Sequence, residues 1–191
     1  LNLNGHRFSN EHGGYSEQAA KVLAQPEGIA FNVFDSRIHE QCLQFEDYRN
    51  AYATGAVKVF DSLEDMANTL ELSPAEVNAV FDEIRTLQKN NEADSFGRTF
   101  SEDQKLKPPY HVIRVTGALF HTQGGLEILS NGRVLDEWGE PLPNLFAAGG
   151  AARGVSGAGG SGYLSGNGLL SAVVMGALAG RAVAGHGSRC L

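Results

Sequence analysis

Cysteine and metal-ligand patterns are scarce in this sequence. Its only cysteines, Cys42 and Cys190, are too few and too far apart to form a disulfide framework, and neither has the spacing of a metal-ligand pair. The six histidines include no H-x-x-x-H pair. We therefore expect neither a disulfide-stapled domain nor a metal site.

Positive charge and long apolar runs are also limited. Fifteen Lys and Arg against 22 Asp and Glu give a net charge of −7, which argues against nucleic acid or an anionic membrane as the main partner. The only membrane candidate is the apolar stretch near the C-terminus, which is shorter than the roughly 20 residues that span a bilayer and is interrupted by Arg181. No signal peptide is recognised. We expect a cytoplasmic protein with no membrane span.

What is present is enough for a hydrophobic core. The chain has 191 residues, of which 42% are hydrophobic, and this suits one large or two small domains. It begins at Leu1 rather than Met, within what looks like a strand. We therefore expect it to be a fragment of a longer protein.

The sequence is organised around a glycine-rich stretch in its last quarter. A short apolar run, Leu145–Ala148, predicts a buried strand that ends at two glycines. A loop rich in Gly and Ser follows, and a helix is predicted from Asn167 to about Ala184. Of the 24 glycines, 14 lie from Gly139 onward, so the backbone here must turn tightly or approach something closely. The helix is apolar on nearly every side, which predicts a buried helix.

The start of that helix could bind a ligand. Unpaired N–H groups at a buried helix start carry partial positive charge that suits an anion or an electron-rich ring edge. Gly166 and Gly168 would let a flat ligand lie against the backbone. A structural loop that leads into a core helix explains the same residues, and composition does not separate the two interpretations.

A dinucleotide fingerprint lies inside the glycine-rich loop but lacks its context. Residues Gly157–Gly162 match G-x-G-x-x-G. The true motif follows a strand, opens a helix and has an acidic residue roughly 20 positions later. Here the predicted helix starts later, and no Asp or Glu follows Glu140. We reject it as a Rossmann fingerprint.

Secondary structure elsewhere alternates between strands and helices. Capping patterns at Ser62 and at Ser73-Pro74 predict helices that run to Leu70 and to about Lys89. A strand, a turn at Asn4-Gly5 and a second strand are predicted within the first eleven residues. Further strands are predicted at Gly28–Asp35, Tyr110–Val115, Ala118–His121, Leu126–Leu129 and Arg133–Leu135.

Three side chains could take part in catalysis. His121 is predicted at a strand end, where it could donate a hydrogen bond to a substrate oxygen. Tyr15 and Tyr163 are flanked by small or polar residues, and a phenol can donate a proton or polarise a carbonyl. An ordinary surface or core role is the alternative for each of the three.

Four segments, in this order, carry a family resemblance. They are Arg7–Glu11 (RFSNE), His121–Gly125 (HTQGG), Pro143–Gly149 (PNLFAAG) and Gly166–Leu170 (GNGLL). Together they resemble the C-terminal half of the fumarate reductase/succinate dehydrogenase flavoprotein family, which also contains the 3-ketosteroid dehydrogenases. The resemblance covers nearly the whole chain.

The resemblance implies an α+β fold, made of part of an α/β FAD-binding fold and an α+β capping domain that closes over the substrate. Residues 1–26 and 115–191 would belong to the FAD-binding domain, and residues 27–114 to the cap. The N-terminal dinucleotide-binding half of the family would be absent.

The resemblance also implies the cofactor and the residues near it. FAD would bind in the full-length protein, with Gly149 and Gly150 near its ribityl chain. The pyrimidine edge of the flavin would lie against the helix start, where the partial positive charge would stabilise a reduced, anionic flavin. The residues implied at this edge are Asn167, Gly168, Leu169 and Leu170.

The chain departs from the fumarate reductases at three positions. They carry arginines where this chain has Tyr15 and Tyr163, and the loss of both removes the fork that would hold a dicarboxylate. The 3-ketosteroid dehydrogenases carry tyrosines there, whereas His121 follows the fumarate reductase pattern. At Gly150 many relatives place a Glu that holds the sugar-alcohol chain of the flavin.

We therefore expect a fragment of an FAD-dependent oxidoreductase that transfers hydride between the flavin and a C–C bond adjacent to a carbonyl. Its substrate would be a small ketone or carboxylate with an activated C–C bond, and its electron carrier is not identified. The catalytic residues would be Tyr15, His121 and Tyr163. The alternative is a non-catalytic cap-domain fragment that does not bind FAD by itself.

Overall fold

The computed structural model describes residues 1–119 and 122–187, and the chain divides into two compact units, residues 1–118 and 119–191. Short 3₁₀ turns connect several of the elements. In chain order the helices and strands are α1 (Tyr15–Leu23), β1 (Ile29–Asp35), α2 (Ser36–Cys42), α3 (Glu46–Ala53), β2 (Val57–Phe60), α4 (Leu63–Thr69), α5 (Pro74–Asn90), β3 (Tyr110–Thr116), β4 (Arg133–Leu135), β5 (Pro141–Phe146) and α6 (Asn167–Gly187).

The first unit is built on a three-stranded antiparallel sheet in the order β1-β3-β2. In its register Val33 lies opposite Val112, and Phe60 lies opposite Tyr110. Alternate residues of each strand face opposite sides of the sheet. The predicted strands at 28–35 and 110–115 are therefore confirmed, each within about a residue at its ends.

Helices α4 and α5 supply the main core of the first unit. Met66, Val77 and Phe81 are buried in a cluster with Phe31 and Val112 of the sheet. Both helices begin where the sequence predicts, because a serine side chain accepts a hydrogen bond from a first-turn backbone N–H at each N-cap. Val77, Val80 and Phe81 of α5 are buried.

The N-terminal segment of the first unit is less regular than predicted. The turn at Asn4-Gly5 is confirmed, since Gly5 has a φ of +81° and the Asn2 N–H donates to the His6 carbonyl at 2.8 Å. The two flanking strands are not formed. Instead, Leu1 and Phe31 exchange two backbone hydrogen bonds of 2.7 Å, so the segment lies along the edge of β1.

The second unit contains a two-stranded antiparallel sheet of β4 and β5. The strand predicted at Leu145–Ala148 is wrong in its position, because β5 ends at Phe146. Its predicted burial holds for Ala147 but not for Leu145, which is exposed. Residues 126–129 form isolated bridges rather than a strand. Residues 118 and 119 form no strand, and the rest of that predicted strand lies outside the described residues.

Helix α6 is not buried, which corrects the prediction. Leu169 is 80% exposed and Val173 is 72% exposed, whereas Ala179 is buried. The helix is apolar on nearly every side, but among the described residues it packs chiefly on the short 3₁₀ turn Gly149–Ala151. In the part of the chain that the structure describes, Asn167–Gly185 is the one stretch with the length and hydropathy of a membrane span. Length and hydropathy therefore leave a membrane span possible for this helix, and the expectation of no span stays a prediction.

Candidate functional site

The glycine-rich loop before α6 closes on itself. The Gly157 N–H donates to the Gly162 carbonyl at 2.8 Å, and a Cβ at Gly162 would lie 2.5 Å from the Gly157 carbonyl carbon. Only glycine fits such an approach. The 3₁₀ turn Gly160–Gly162 follows, and α6 begins only at Asn167. The G-x-G-x-x-G spacing therefore shapes a loop, in agreement with its rejection as a Rossmann fingerprint.

Asn167 connects this loop to the start of α6. Its side chain is buried, and its Nδ2 donates to Ser156 Oγ at 2.7 Å and to the Leu164 carbonyl at 2.5 Å. The backbone of the helix start continues from the loop, since the Leu170 N–H donates to the Gly166 carbonyl at 3.2 Å. Asn167 therefore fixes the helix start.

The backbone around this helix start is open to a ligand. A Cβ at Gly150, Gly166 or Gly168 would meet no atom within 4 Å, and Gly166 has a φ of +80°. Leu169 and Leu170, which follow, are both exposed. An uncovered backbone with a fixed helix start is what the edge of a flat ring system requires. The residues present thus fit a flavin edge, although their roles as ligands stay predictions.

Gly149 has a different environment. It has a φ of +58° at the 3₁₀ turn after β5, and a Cβ there would lie 3.4 Å from the Ala172 side chain. Beside it is a cavity of about 160 Å³, also bordered by Ser171 and Met175. Sites for small molecules usually measure roughly 300–1,000 Å³. This cavity is too small to enclose a flavin.

The three predicted catalytic residues lie in different parts of the chain. Tyr163 follows the second 3₁₀ turn of the second unit and is half-buried. Tyr15 is the first residue of α1 in the first unit and is 67% exposed. His121 lies outside the described residues. Their catalytic roles stay predictions.

Tyr15 lines a cavity in the first unit that is larger than the cavity beside Gly149. This cavity measures about 740 Å³, within the size range of small-molecule sites. Apolar side chains of β1 and α5 form much of its wall. Its polar lining includes Arg7, Glu11 and Arg98.

These polar residues form an ion cluster. Arg7 Nε and Nη2 donate to the two carboxylate oxygens of Glu11, each at 2.7 Å. Arg98 Nη1 also contacts Glu11, at 2.6 Å, and Asp94 lies 2.6 Å from Arg7. No sequence signal identified Asp94 and Arg98, because they follow Glu11 by more than 80 residues.

The cluster fixes the charge of its carboxylates. Burial alone would raise the pKa of Glu11, but hydrogen bonds from Arg7 and Arg98 outweigh burial and lower that pKa to about 2. At Asp94, too, burial would raise the pKa. Hydrogen bonds from the Arg98 backbone and the Arg7 side chain outweigh burial and lower it. Both carboxylates are therefore ionised at neutral pH.

Comparison with known proteins identifies the family. Residues 1–169 match the model of a family described as FAD binding domain. A probable fumarate reductase of Shewanella frigidimarina is 26% identical over 97% of this chain and 31% of its own length. The 4-oxocyclohex-2-ene-1-carboxylate 5-dehydrogenase of Sinomonas cyclohexanicum is 26% identical over 96% of this chain and 35% of its own length.

Solved structures agree with this assignment. The open conformation of a flavocytochrome c3 fumarate reductase superposes with a TM-score of 0.73 and 26% identity, over 97% of this chain and 32% of that one. The chain thus spans about a third of the length of these relatives. Because the family model covers most of the sequence, the chain belongs to the FAD-binding flavoprotein family that includes the fumarate reductases, whose cofactor is FAD.

Proposed function

We propose that this chain is the cap and C-terminal FAD-domain portion of an oxidoreductase that acts on a C–C bond beside a carbonyl. The cap would comprise residues 27–114, and residues 1–26 and 115–191 would belong to the FAD-binding domain. The observation that carries the proposal is the presence of Tyr15 and Tyr163 at positions where the family resemblance implies arginines in fumarate reductases. Two phenols suit a ketone better than a dicarboxylate, because neither supplies a positive charge.

The relatives support this chemistry. Fumarate is reduced at a C–C double bond flanked by carboxylates, and the Sinomonas enzyme is named for a ring that carries both a ketone and a carboxylate. Bound FAD would supply the hydride acceptor or donor. A second partner, an electron carrier whose class is not identified, would restore the cofactor.

The residues of this chain would do the remaining work. Tyr15 or Tyr163 would exchange a proton at its phenol oxygen or polarise the substrate carbonyl, and His121 would orient the substrate. The start of α6 would hold the flavin edge through Asn167 and Gly168, with Leu169 and Leu170 beside it. Its N–H groups would stabilise negative charge there. Gly149 and Gly150 would lie near the ribityl chain.

The test is a substrate comparison on the full-length flavoprotein loaded with FAD. A 3-ketosteroid and fumarate are each supplied with an artificial electron carrier, and turnover of the ketosteroid is expected. Y15F or Y163F should lower kcat by roughly 10²- to 10⁴-fold, the usual contribution of a positioned proton donor. Y52F is the control, since it removes a phenol that has no proposed role. Turnover of fumarate alone would overturn the substrate assignment, and unchanged kcat in both tyrosine variants would overturn their roles.

A second candidate applies to the 191-residue chain by itself: it is a folded cap fragment that does not bind FAD. It is supported by the chain's share of about a third of its relatives' length and by the small cavity beside Gly149. The purified chain should show no flavin absorbance and no quenching of FAD fluorescence on titration. Stoichiometric flavin binding would contradict this candidate. The two proposals are compatible, because the first concerns the full-length protein.

A further inference from the structure

The start of α1 has no cap of its own. Tyr15 is the first helical residue, and the preceding residue, Gly14, has extended backbone angles and no side chain that could accept a hydrogen bond from the first turn. Most helices rely on such a cap to fix where they begin. The segment that leads into the helix therefore helps to set the position of Tyr15.

That segment is held to α1 by one glutamine. Gln18 Oε1 accepts a hydrogen bond from Ser9 Oγ at 2.9 Å, and Gln18 Nε2 donates to the Asn10 carbonyl at 2.9 Å. The Asn10 side chain closes a turn by accepting from the His12 N–H at 2.9 Å. Residues 9–18 are thus joined by hydrogen bonds into one segment, the 9–18 segment, which would move together.

Glu11 connects the 9–18 segment to a distant loop. Glu11 is bound by Arg7, which lies just before the 9–18 segment, and by Arg98 of the loop that follows α5. Arg7 lies four residues from Glu11 and also contacts Asp94 of this loop at 2.6 Å, whereas Arg98 belongs to the loop and binds Glu11 directly. The Arg98 contact spans 87 residues of sequence.

The loop that presents Arg98 is itself rigidly built. Asp94 is fully buried at its side chain, and its Oδ1 accepts from the Phe96 N–H at 2.9 Å and the Arg98 N–H at 2.7 Å. The Arg98 guanidinium lies 4.6 Å from the centre of the Phe100 ring, and the Arg7 guanidinium lies 5.0 Å from it. Two arginines thus face two carboxylates over one aromatic ring, so the charges balance and the geometry is fixed.

The contact also lies in the wall that contains the phenol. Tyr15, Glu11 and Arg98 line the same 740 Å³ cavity. We propose that Arg98 is a positioning residue that acts through Glu11 to set the place of Tyr15 in this wall. The inference rests on the proposed function, in which Tyr15 exchanges a proton or polarises the substrate.

The first experiment measures local order in the 191-residue chain by amide hydrogen exchange. R98M should raise exchange rates in residues 10–18 by at least about tenfold more than in β3 and α5, because it removes a direct contact between Glu11 and the loop and leaves the sheet and α5 unchanged. R98K should restore most of the protection, since a lysine can remake the single contact with Glu11. E11Q weakens the contacts of Glu11 with both Arg98 and Arg7 and should raise exchange in the same residues. R85M, which removes an exposed arginine paired with Asp82, is the matched control.

A uniform change across all elements in R98M and E11Q would overturn the inference, because it would mean that the cluster only stabilises the domain. No change in either variant would overturn it as well. These outcomes do not depend on whether Tyr15 is catalytic.

The second experiment measures kinetics in the full-length flavoprotein loaded with FAD. R98M should lower kcat by roughly 10- to 100-fold with little change in KM, as expected for a displaced catalytic group. The loss should disappear when R98M is added to Y15F, since no phenol is left to position. A further loss in the Y15F background would overturn the inference. If Y15F alone keeps full activity while exchange in residues 10–18 responds to R98M, the proposed role of Tyr15 fails and the structural coupling stands.

Discussion

His111 illustrates how tertiary structure changes a single residue. On β3 its ring stacks on Phe34 and His39, with centroid distances of 5.7 and 4.4 Å, and the residue is 4% exposed. Burial lowers the pKa of His111, and the neighbouring His39 lowers it further. The carbonyl of Pro109 and the more distant carboxylates act in the opposite direction but do not outweigh these effects. The folded state therefore favours the neutral imidazole.

The pH dependence of stability should report this. The pKa of His111 is lower in the folded state than in the unfolded state. Its contribution to the free energy of unfolding is therefore present above the ordinary pKa of 6.5 and is lost as pH falls below that value. H111F, which can stack on Phe34, should remove this loss. The free energy of unfolding, measured with urea between pH 7.5 and 5, should fall less steeply in H111F, by at most about 1.4 kcal/mol per pH unit.

H12Q, at an exposed histidine, is the control for His111. Equal slopes in H111F and the wild type would contradict the prediction. The sequence shows that His111 lies in a strand, but its stacking partner on α2 and its burial became known only from the fold.

Helix α5 represents the elements that follow from local sequence. Ser73 Oγ accepts from the Glu76 N–H at 3.3 Å, Pro74 occupies the first turn, and Asn91 ends the helix with a φ of 54°. Each of these features depends on residues within one turn of the helix end. Helix α6 differs, because its sequence predicted the bounds of the helix but wrongly predicted that it is buried.

Removal of the cap should destabilise the first unit. S73A should lower the free energy of unfolding by about 1 kcal/mol, because a first-turn N–H loses its acceptor. The measurement is urea unfolding monitored by circular dichroism. S101A is a matched control, since Ser101 precedes a 3₁₀ turn without a side-chain cap bond. An equal loss in both variants would show that the Ser73 hydroxyl does not act as a cap.

At the scale of the whole molecule, the main feature is the exposed apolar face of α6. Leu169, Leu170 and Val173 are exposed side by side, while Ala179 on another face is buried. Contiguous apolar patches of this kind are rare on monomeric soluble proteins and promote association. The isolated chain should therefore self-associate through this helix.

A single charge on that face should reduce the association. V173E should shift the chain toward monomer in size-exclusion chromatography with light scattering, because a buried unpaired carboxylate is costly in an apolar contact. V155E is the control, since Val155 is similarly exposed in the same unit but lies outside α6. A wild-type chain that stays monomeric at high micromolar concentration would contradict the prediction, as would an equal effect of V155E.

The sequence by itself determined the elements whose signals are local: β1, α4, α5 and β3, the turn at Asn4-Gly5, and the start of α6. It also determined the family, through four short segments in order. Only the tertiary structure decided that Arg98 meets Glu11, that His111 stacks on His39 and that α6 is uncovered. The physical reason is that capping and turn energies depend on neighbours in the chain, whereas burial and charge pairing depend on residues that the fold brings together from far apart in sequence.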